Sequence, residues 1–377
     1  MATMTETQDQ PIPESLGGHL RFLHERLDEV APAVERIAVV LYDPGDKTLK
    51  TFINSTRNGY AIRGYEYPLA RSRSLSAIAA SGRSRLITDI PSALTNEATH
   101  TRYVRDEGYL SSYTLPMQSH GMFLGLIFFD AREHDTFTPG LRRELDLYGQ
   151  VITSAVAVEL ATVRSITGAV HVARDITELR DVETGVHLER VARYSRLVAH
   201  HLVEELDLTD EFVEAVFMFA PLHDVGKIGI PDAILLKPGK LDPDEWTVMK
   251  THTTKGRSLV DTISDDLGII SLAQGDVMRN IVEFHHEALD GSGYPRGLRG
   301  EEIPLEARLV AVADIFDALT TVRPYKQAWP VGDAMDELAR MANAGKLDAR
   351  AVSTMIAHRV EAEEILERSR GLENGRG

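Results

Sequence analysis

Apolar and polar positions follow two different rhythms along the chain, and the change lies near residue 140. Before it, short apolar runs of strand length alternate with turn residues, whereas helical spacing prevails after it. Arg36–Tyr42 and Thr48–Ile53 flank the turn sequence Asp-Pro-Gly-Asp and predict a β-hairpin. A helical stripe precedes this hairpin at Leu20, Leu23, Leu27 and Val30.

The rest of the first half predicts a further helix and more strands. The helix covers Ser74–Ala80 and ends before Gly82, a residue that suits a helix C-terminus. The strands are predicted over Arg85–Thr88, Ser112–Met117 and Met122–Asp130. We therefore expect an α+β module, with an antiparallel sheet and helices packed against it.

Residues 138–180 are predicted to be mostly helical and to connect this module to a second, all-α region. An apolar stripe without an obvious partner in the chain runs along the connector, at Leu145, Tyr148, Ile152 and Ala155. Glu159 and Thr162 interrupt it, so the pattern permits a parallel coiled coil without demanding one. Since two-fold pairing is the commonest oligomer, we predict a homodimer formed through the first module and this connector.

The amino-acid composition excludes several classes of function but does not indicate one directly. The 377 residues include 41 Lys and Arg against 57 Asp and Glu, for a net charge of −16, which disfavours a nucleic-acid-coating protein. Absence of cysteine excludes disulfides, thiolate metal sites and cysteine nucleophiles. The sequence contains no apolar run long enough to span a membrane and no visible secretory signal, so the expected location is the cytoplasm.

Histidines and acidic residues recur in short motifs beyond residue 180. Glu183 and His187 stand four residues apart, which on a helix places them on one face, close enough to share a metal ion or to form a surface ion pair. His223-Asp224 follows an apolar helix, with Lys227 shortly after it. An Asp in such a dipeptide can bridge two ions while the His binds one.

Two further motifs complete the set. His252 stands on a helix that Asp242 caps, and His285-His286 precedes a glycine-rich loop ending in Tyr294-Pro295. Asp314 and Asp317 lie three residues apart in a helix that is otherwise almost wholly apolar. A buried carboxylate is costly unless it is paired or binds a metal. Arg323 and Lys326 follow that helix and supply two cations.

The first module resembles a GAF-type sensory domain in its element order and in the phrases GYLSSYTLPMQSHGMFLGLIFFD and FTPGLRRELDLYGQVI. That resemblance implies one of two roles. The module either binds a small ligand or serves for dimerisation and signal transmission without one.

The second half, over roughly residues 175–365, resembles the HD-GYP family of phosphohydrolases in the ordered motifs HD…K, H, HHE…DGSGYP and ADIFDALT…RPYK. The resemblance implies an all-α bundle that holds two or three divalent ions, iron or manganese. The implied metal ligands are His223, Asp224, His252, His285, His286 and Asp314, with Glu183 and His187 for a third ion. Asp224 and Lys227 are the implied catalytic residues, and the implied substrate contacts are Lys227, Tyr294, Asp317, Arg323 and Lys326.

The leading function that this resemblance implies is hydrolysis of cyclic di-GMP to linear pGpG or further to GMP. Two alternatives stay open: a phosphodiesterase for another cyclic dinucleotide such as cyclic GMP-AMP, and a receptor that binds a cyclic dinucleotide without cleaving it. The expected organisation is a GAF-like domain over residues 1–150, a connecting helix over 151–180 and the HD-GYP domain over 181–377.

Overall fold

The computed structural model describes residues 15–95, 98–177, 185–266, 274–322 and 327–374. The chain forms two compact units, Met1–Glu159 and Leu160–Gly377, and one helix, Pro139–Thr177, passes from the first into the second. Within the connector expected over residues 138–180, the structure forms a helix over Pro139–Thr177. The finer domain limits given above stay a prediction.

The first unit is built on a six-stranded sheet in which all neighbouring strands are antiparallel. The strand order is β3-β2-β1-β6-β5-β4. Its strands are β1 (Arg36–Asp43), β2 (Thr48–Thr56), β3 (Glu66–Pro68), β4 (Arg85–Ile87), β5 (Ser111–Ser119) and β6 (Met122–Ala131). Its helices are α1 (Leu16–Leu27), α2 (Arg73–Ser81), α3 (Ile90–Ala93), α4 (Thr99–Asp106) and the start of α5 (Pro139–Thr177). The predicted α+β class is confirmed.

Local sequence explains most of these elements. The hairpin of β1 and β2 turns where Asp43 accepts a backbone hydrogen bond from Gly45 at 2.8 Å. Helix α2 ends at Gly82, which adopts the left-handed conformation at φ 66°. The short strand β3 was not predicted. Val30 belongs to the predicted stripe of α1 but lies beyond the end of that helix and is exposed.

One expectation about the connector is wrong. Leu145 and Ile152 of α5 are fully buried within the chain, so this stripe already has an intrachain partner. The helix lies so close to the sheet that a Cβ on Gly149 would stand 2.4 Å from Leu115 Cδ1. A different line of apolar side chains on α5 is exposed instead, namely Leu147, Val151 and Val158, and we call it the exposed α5 stripe.

In its described residues the second unit is built from helices and loops, with one isolated β-bridge between Asp290 and Arg299. Its helices are α6 (Gly185–His201), α7 (Asp210–Phe219), α8 (Asp232–Leu235), α9 (Pro243–Lys250), α10 (His252–Asp266), α11 (Gly275–Phe284), α12 (Leu305–Thr320), α13 (Val331–Asn343), α14 (Ala349–Ala357) and α15 (Arg359–Asn374). Helices α6, α7, α11 and α12 pack on one another around a single apolar core that includes Val198, Phe219, Ile281 and Phe316. Across the described ranges, no helix combines the length and apolarity that a membrane crossing requires.

The segment around His252 differs in one respect from its sequence prediction. Asp242 and Glu245 form the expected capping box at the start of α9. That helix ends at Lys250, however, and His252 opens the next helix, α10. The break redirects the chain, so that a residue predicted on one helix starts another.

Candidate metal centre

Seven of the predicted ligands converge in the core of the helical unit, although they come from five separate places in the sequence. They form two groups, and within each group the ligand atoms lie within 4.8 Å of one another. The first group consists of Asp224, His252, His285 and His286, and the second consists of His187, His223 and Asp314.

A close backbone approach places His252 beside Asp224. Asp224 stands between two short 3₁₀ turns, and Gly226 in the second turn touches α10. A Cβ on Gly226 would lie 1.8 Å from the carbonyl oxygen of His252 and 2.4 Å from the backbone nitrogen of Gly256. Only a glycine permits this approach, so Gly226 belongs to the machinery that assembles the site.

Backbone hydrogen bonds fix the tautomer of three imidazoles. A carbonyl oxygen can only accept, so the ring nitrogen that faces it must carry the proton. The Nδ1–H groups of His223, His252 and His285 donate to the carbonyls of Ala220, Met249 and Ile281, at 2.8, 2.8 and 3.0 Å respectively. Each Nε2 is then an unprotonated lone pair, the form in which imidazole binds a metal.

The arrangement around Asp224 fits a bound cation. His252 Nε2 lies 3.1 Å from Asp224 Oδ1 and His285 Nε2 lies 3.6 Å from it, yet these three buried atoms make no hydrogen bond within the described structure. Lone pairs that face one another in a buried site need a positive charge between them. Two ligand atoms about 2.1 Å from one ion and at right angles lie about 3.0 Å apart, which matches the shorter separation.

The two oxygens of Asp224 face different groups. Oδ1 faces His252 and His285, while Oδ2 lies 3.3 Å from His223 Nε2 and 2.8 Å from Lys227 Nζ. Burial acts to raise the pKa of Asp224, but Lys227 and the nearby histidines outweigh it and hold the pKa well below its usual range. Asp224 is therefore an ionised carboxylate located between the two groups.

Burial keeps two histidines of the first group, His285 and His286, neutral. It lowers the pKa of His285, and it lowers the pKa of His286 well below the usual value, with His285 adding to the effect. Neutral imidazoles are the metal-binding form, so this group is preorganised for an ion.

In the second group, His187 is held by a carboxylate behind it. Its Nδ1–H donates to Asp317 Oδ2 at 2.6 Å, and its Nε2 lies 3.9 Å from Asp314 Oδ1. Arg190 Nε donates to the other oxygen of Asp317 at 2.5 Å. Burial acts to raise the pKa of Asp317, but His187 and Arg190 outweigh it and lower that pKa. Such carboxylate–histidine pairs orient the ring of a metal ligand.

This geometry bears on the role expected for Asp317. The resemblance places Asp317 on the substrate pocket, but its side chain is only 1% exposed and both of its oxygens are occupied within the core. The described geometry thus suits a positioning residue for His187 better than a substrate contact.

Lys227 and Tyr294 both lie at the edge of the first group. Lys227 is partly exposed, while the ring of Tyr294 lies 4.8 Å from that of His286, centroid to centroid. Burial raises the pKa of Tyr294, so its phenol stays protonated and can donate a hydrogen bond. Both side chains therefore offer donors beside the metal ligands.

Sequence reasoning missed the residue that holds the Tyr294 loop. The buried carboxylate of Glu287 accepts hydrogen bonds from three backbone N–H groups of that loop, those of Arg296, Gly297 and Leu298, at 2.7, 3.1 and 3.0 Å. Gly293 packs directly on Glu287, because a Cβ there would lie 2.5 Å from Glu287 Cα. The position of Glu287 immediately after His285-His286 was the available signal, but nothing local identifies its partners.

Three predicted site residues lie outside the described residues: Glu183, Arg323 and Lys326. Their roles stay predictions.

Comparisons with known proteins find matches to the sequence of the helical unit. Residues 175–351 match the HD domain family. The chain is 47% identical over 189 residues to the cyclic di-GMP phosphodiesterase response regulator RpfG of Xanthomonas campestris pv. campestris, with 50% of this chain and 47% of the relative covered. It is 39% identical over 182 residues to the 3'3'-cGAMP-specific phosphodiesterase 2 of Vibrio cholerae, with 48% of this chain and 32% of the relative covered.

A solved structure, that of the GAF domain/HD domain protein from Geobacter sulfurreducens, matches at 13% identity with a TM-score of 0.32, over 38% of this chain and 92% of that one. Each of the two sequence alignments spans less than half of the relative's length. The motifs, the two ligand groups and the family match coincide in one stretch of sequence. Residues 175–351 are therefore the part of this chain that matches the HD domain family.

Proposed function

We propose that the chain is a metal-dependent phosphodiesterase that hydrolyses cyclic di-GMP to linear pGpG or further to GMP. The observation that carries this proposal is Asp224, an ionised carboxylate whose two oxygens face two groups of metal-binding side chains. Relatives named as cyclic di-GMP phosphodiesterases, at 47% and 45% identity, support the choice of substrate.

The donor set supports iron or manganese. Every candidate ligand is an imidazole or a carboxylate, and the chain has no cysteine, so soft thiolate chemistry plays no part. Bound divalent ions would supply an activated water near neutral pH and would neutralise the charge that develops on the phosphate oxygens. Asp224, His252, His285 and His286 would hold one ion, and His187, His223 and Asp314 another.

The protein's own groups position the substrate. Water adds to phosphorus, the bond to the ribose 3'-oxygen breaks, and that oxygen becomes a hydroxyl by taking up the proton that the water releases. Lys227 lies at the edge of the first group with its ammonium 2.8 Å from Asp224 Oδ2, and it contacts the phosphate that is cleaved. The protonated phenol of Tyr294 donates a hydrogen bond at the rim, while Arg323 and Lys326 bind the substrate phosphates. Asp317 orients His187.

The number of ions is two or three. The described residues present two groups. With a third ion, His187 would bind that ion together with Glu183, and His223, Asp314 and Asp224 would hold the second. Elemental analysis of protein expressed with manganese tests this count, with three per chain expected. Replacement of Glu183 and His187 by Ala should leave two, and two in the fully active unmodified protein would contradict the third site.

One other cyclic dinucleotide is an alternative candidate for the substrate. A relative at 39% identity is named as specific for 3'3'-cGAMP, so cyclic GMP-AMP is the second candidate. A receptor that binds without cleavage is disfavoured by a ligand set that is complete in the described residues. Purified protein loaded with manganese should convert cyclic di-GMP to pGpG, measured by chromatography. Faster cleavage of cyclic GMP-AMP would favour that molecule as the substrate, and no cleavage of either dinucleotide would refute the proposed phosphodiesterase activity.

We also propose that the chain forms a homodimer through its first unit. The exposed α5 stripe supports this, because Leu147, Val151 and Val158 are 60%, 53% and 66% exposed on one helix. Spacings of four and seven residues place them along one face, as in a two-stranded coiled coil. A second copy of α5 would cover them.

A further inference from the structure

The α+β unit contains a cavity of its own, independent of the metal centre. It lies between one face of the sheet and the segment that carries α2, β4, α3 and α4. The space measures about 910 Å³ when the open solvent at its mouth is included. Most of its wall is apolar or aromatic, formed by residues such as Leu49, Leu75, Ile87, Tyr67 and Phe128.

The charged side chains of the wall do not balance. Arg36 and Asp130 form a buried ion pair at 2.5 Å and cancel one another. Arg85 has no carboxylate within ion-pair distance among the residues described. Its two terminal nitrogens donate to the neutral hydroxyls of Ser74 and Thr114, at 2.9 and 3.0 Å, and its Nε is buried without a hydrogen-bond partner.

The histidine of the wall does not change this balance. His100 lies in a hydrogen bond with Tyr65, with 3.0 Å between Nδ1 and the phenol oxygen. Burial and the nearby Arg85 lower the pKa of His100 to about 4, so it is neutral at pH 7. Burial also lowers the pKa of Arg85, to about 10, while Asp130 acts in the opposite direction. At neutral pH the described wall thus carries one positive charge without a partner.

We propose that this cavity binds a small organic monoanion with an apolar or aromatic body, and that Arg85 binds its anionic group. A buried guanidinium that lacks a carboxylate is costly, and an incoming anion removes that cost while forming charge-assisted hydrogen bonds. The planar fork of arginine suits a carboxylate or a phosphodiester equally well. The aromatic and aliphatic wall then covers the rest of the molecule. One unpaired charge in the wall selects one negative charge in the ligand.

Titration calorimetry on the full chain tests the proposal with matched pairs of probes. Phenylacetate, indole-3-acetate and 1-naphthaleneacetate are compared with their neutral amides, which have nearly the same shape. We expect at least one acid to bind about 10- to 150-fold more tightly than its amide. Phenyl methyl phosphate, a monoanionic phosphodiester, distinguishes the two anionic groups by whether it binds more or less tightly than the acids.

Three variants assign that preference to the cavity. Arg85→Gln should abolish the preference for the acid, and Arg85→Lys should retain most of it because the charge remains. Arg83→Gln is the control, since Arg83 is exposed and does not line the cavity. Equal binding of acid and amide in the unmodified chain would overturn the proposal, and so would a preference that survives Arg85→Gln, which would indicate binding elsewhere. Failure of every anion to bind at millimolar concentration would also overturn it.

Discussion

The contact between Asp317 and His187 allows a sharp test of how the second ligand group is held. Asp317→Asn keeps the shape of the side chain but replaces one acceptor oxygen by an NH2 group. In the structure both oxygens accept from donors, His187 Nδ1–H at 2.6 Å and Arg190 Nε–H at 2.5 Å. The amide must therefore place a donor against a donor on one side, and it leaves the charge of Arg190 without its carboxylate.

Two magnitudes follow from this geometry. Loss of the partner that orients a metal-binding histidine costs about 10- to 100-fold in metal affinity, which is about 1.4–2.7 kcal/mol. Breaking a buried ion pair costs about 3–5 kcal/mol, and we expect about 3 because the asparagine still fills the site. Manganese affinity should therefore fall for one class of site only, and the metal-free protein should also unfold at a lower denaturant concentration.

Thr321→Val provides the matched control. Its hydroxyl lies 3.2 Å from Arg190 Nη2 and 3.5 Å from Asp317 Oδ2, so the change removes two weak contacts of this network but keeps the carboxylate that holds His187. We expect about 0.5–1.5 kcal/mol of lost stability and unchanged metal binding. The assay is calorimetric titration of metal-free protein with Mn²⁺. Unaltered manganese affinity in Asp317→Asn would refute the positioning role, and an equal loss in Thr321→Val would show that the effect is general destabilisation.

Three further outcomes are expected at other positions. Asp224→Ala should lose bound metal and lower turnover by several orders of magnitude. Arg323→Ala, in contrast, should keep its metal and weaken substrate binding by about 10- to 150-fold. Steady-state kinetics together with metal analysis measures both effects. Gly226→Ala should destabilise the chain by about 1–3 kcal/mol and weaken metal binding, while Gly229→Ala, whose Cβ meets only the movable side chain of Lys255, should be tolerated. Leu147→Glu should convert the proposed dimer to a monomer in light scattering, and a persistent dimer would contradict the α5 interface.

Elements with strong local signals were predictable from the sequence. The hairpin at Asp43 and the C-terminus of α2 at Gly82 depend on turn chemistry within a few residues, and both are confirmed. The break before His252 was not predicted, because the capping box at Asp242 defines where α9 begins but carries no information on where it ends. The strand β3 is too short to show a period of two.

The contacts between residues far apart in the chain could not be predicted from the sequence, for a physical reason. The metal-binding residue types were recognisable in their motifs, but a carboxylate such as Asp317 can serve an ion, a substrate or a neighbouring ligand with the same local sequence. Its use is decided by His187, which is 130 residues away in the chain. The stripe at Leu145 illustrates the same limit, since helical spacing identifies an apolar face without indicating whether the sheet or a second chain covers it.

The electrostatics of the site reconcile an acidic chain with an anionic substrate. The net charge of −16 repels a cyclic dinucleotide, although salt screens this repulsion at distances beyond about 10 Å. Locally the balance reverses, because five of the seven described ligands are imidazoles, which carry no charge in the form that binds a metal, and two are carboxylates. Two carboxylates cancel only half the charge of two divalent ions, and Lys227 adds a further positive charge. A ligand set richer in Asp and Glu would hold the ions more tightly but would lose this attraction. If the proposed function is correct, the predominance of histidine at the site is what allows an acidic protein to bind a phosphodiester there.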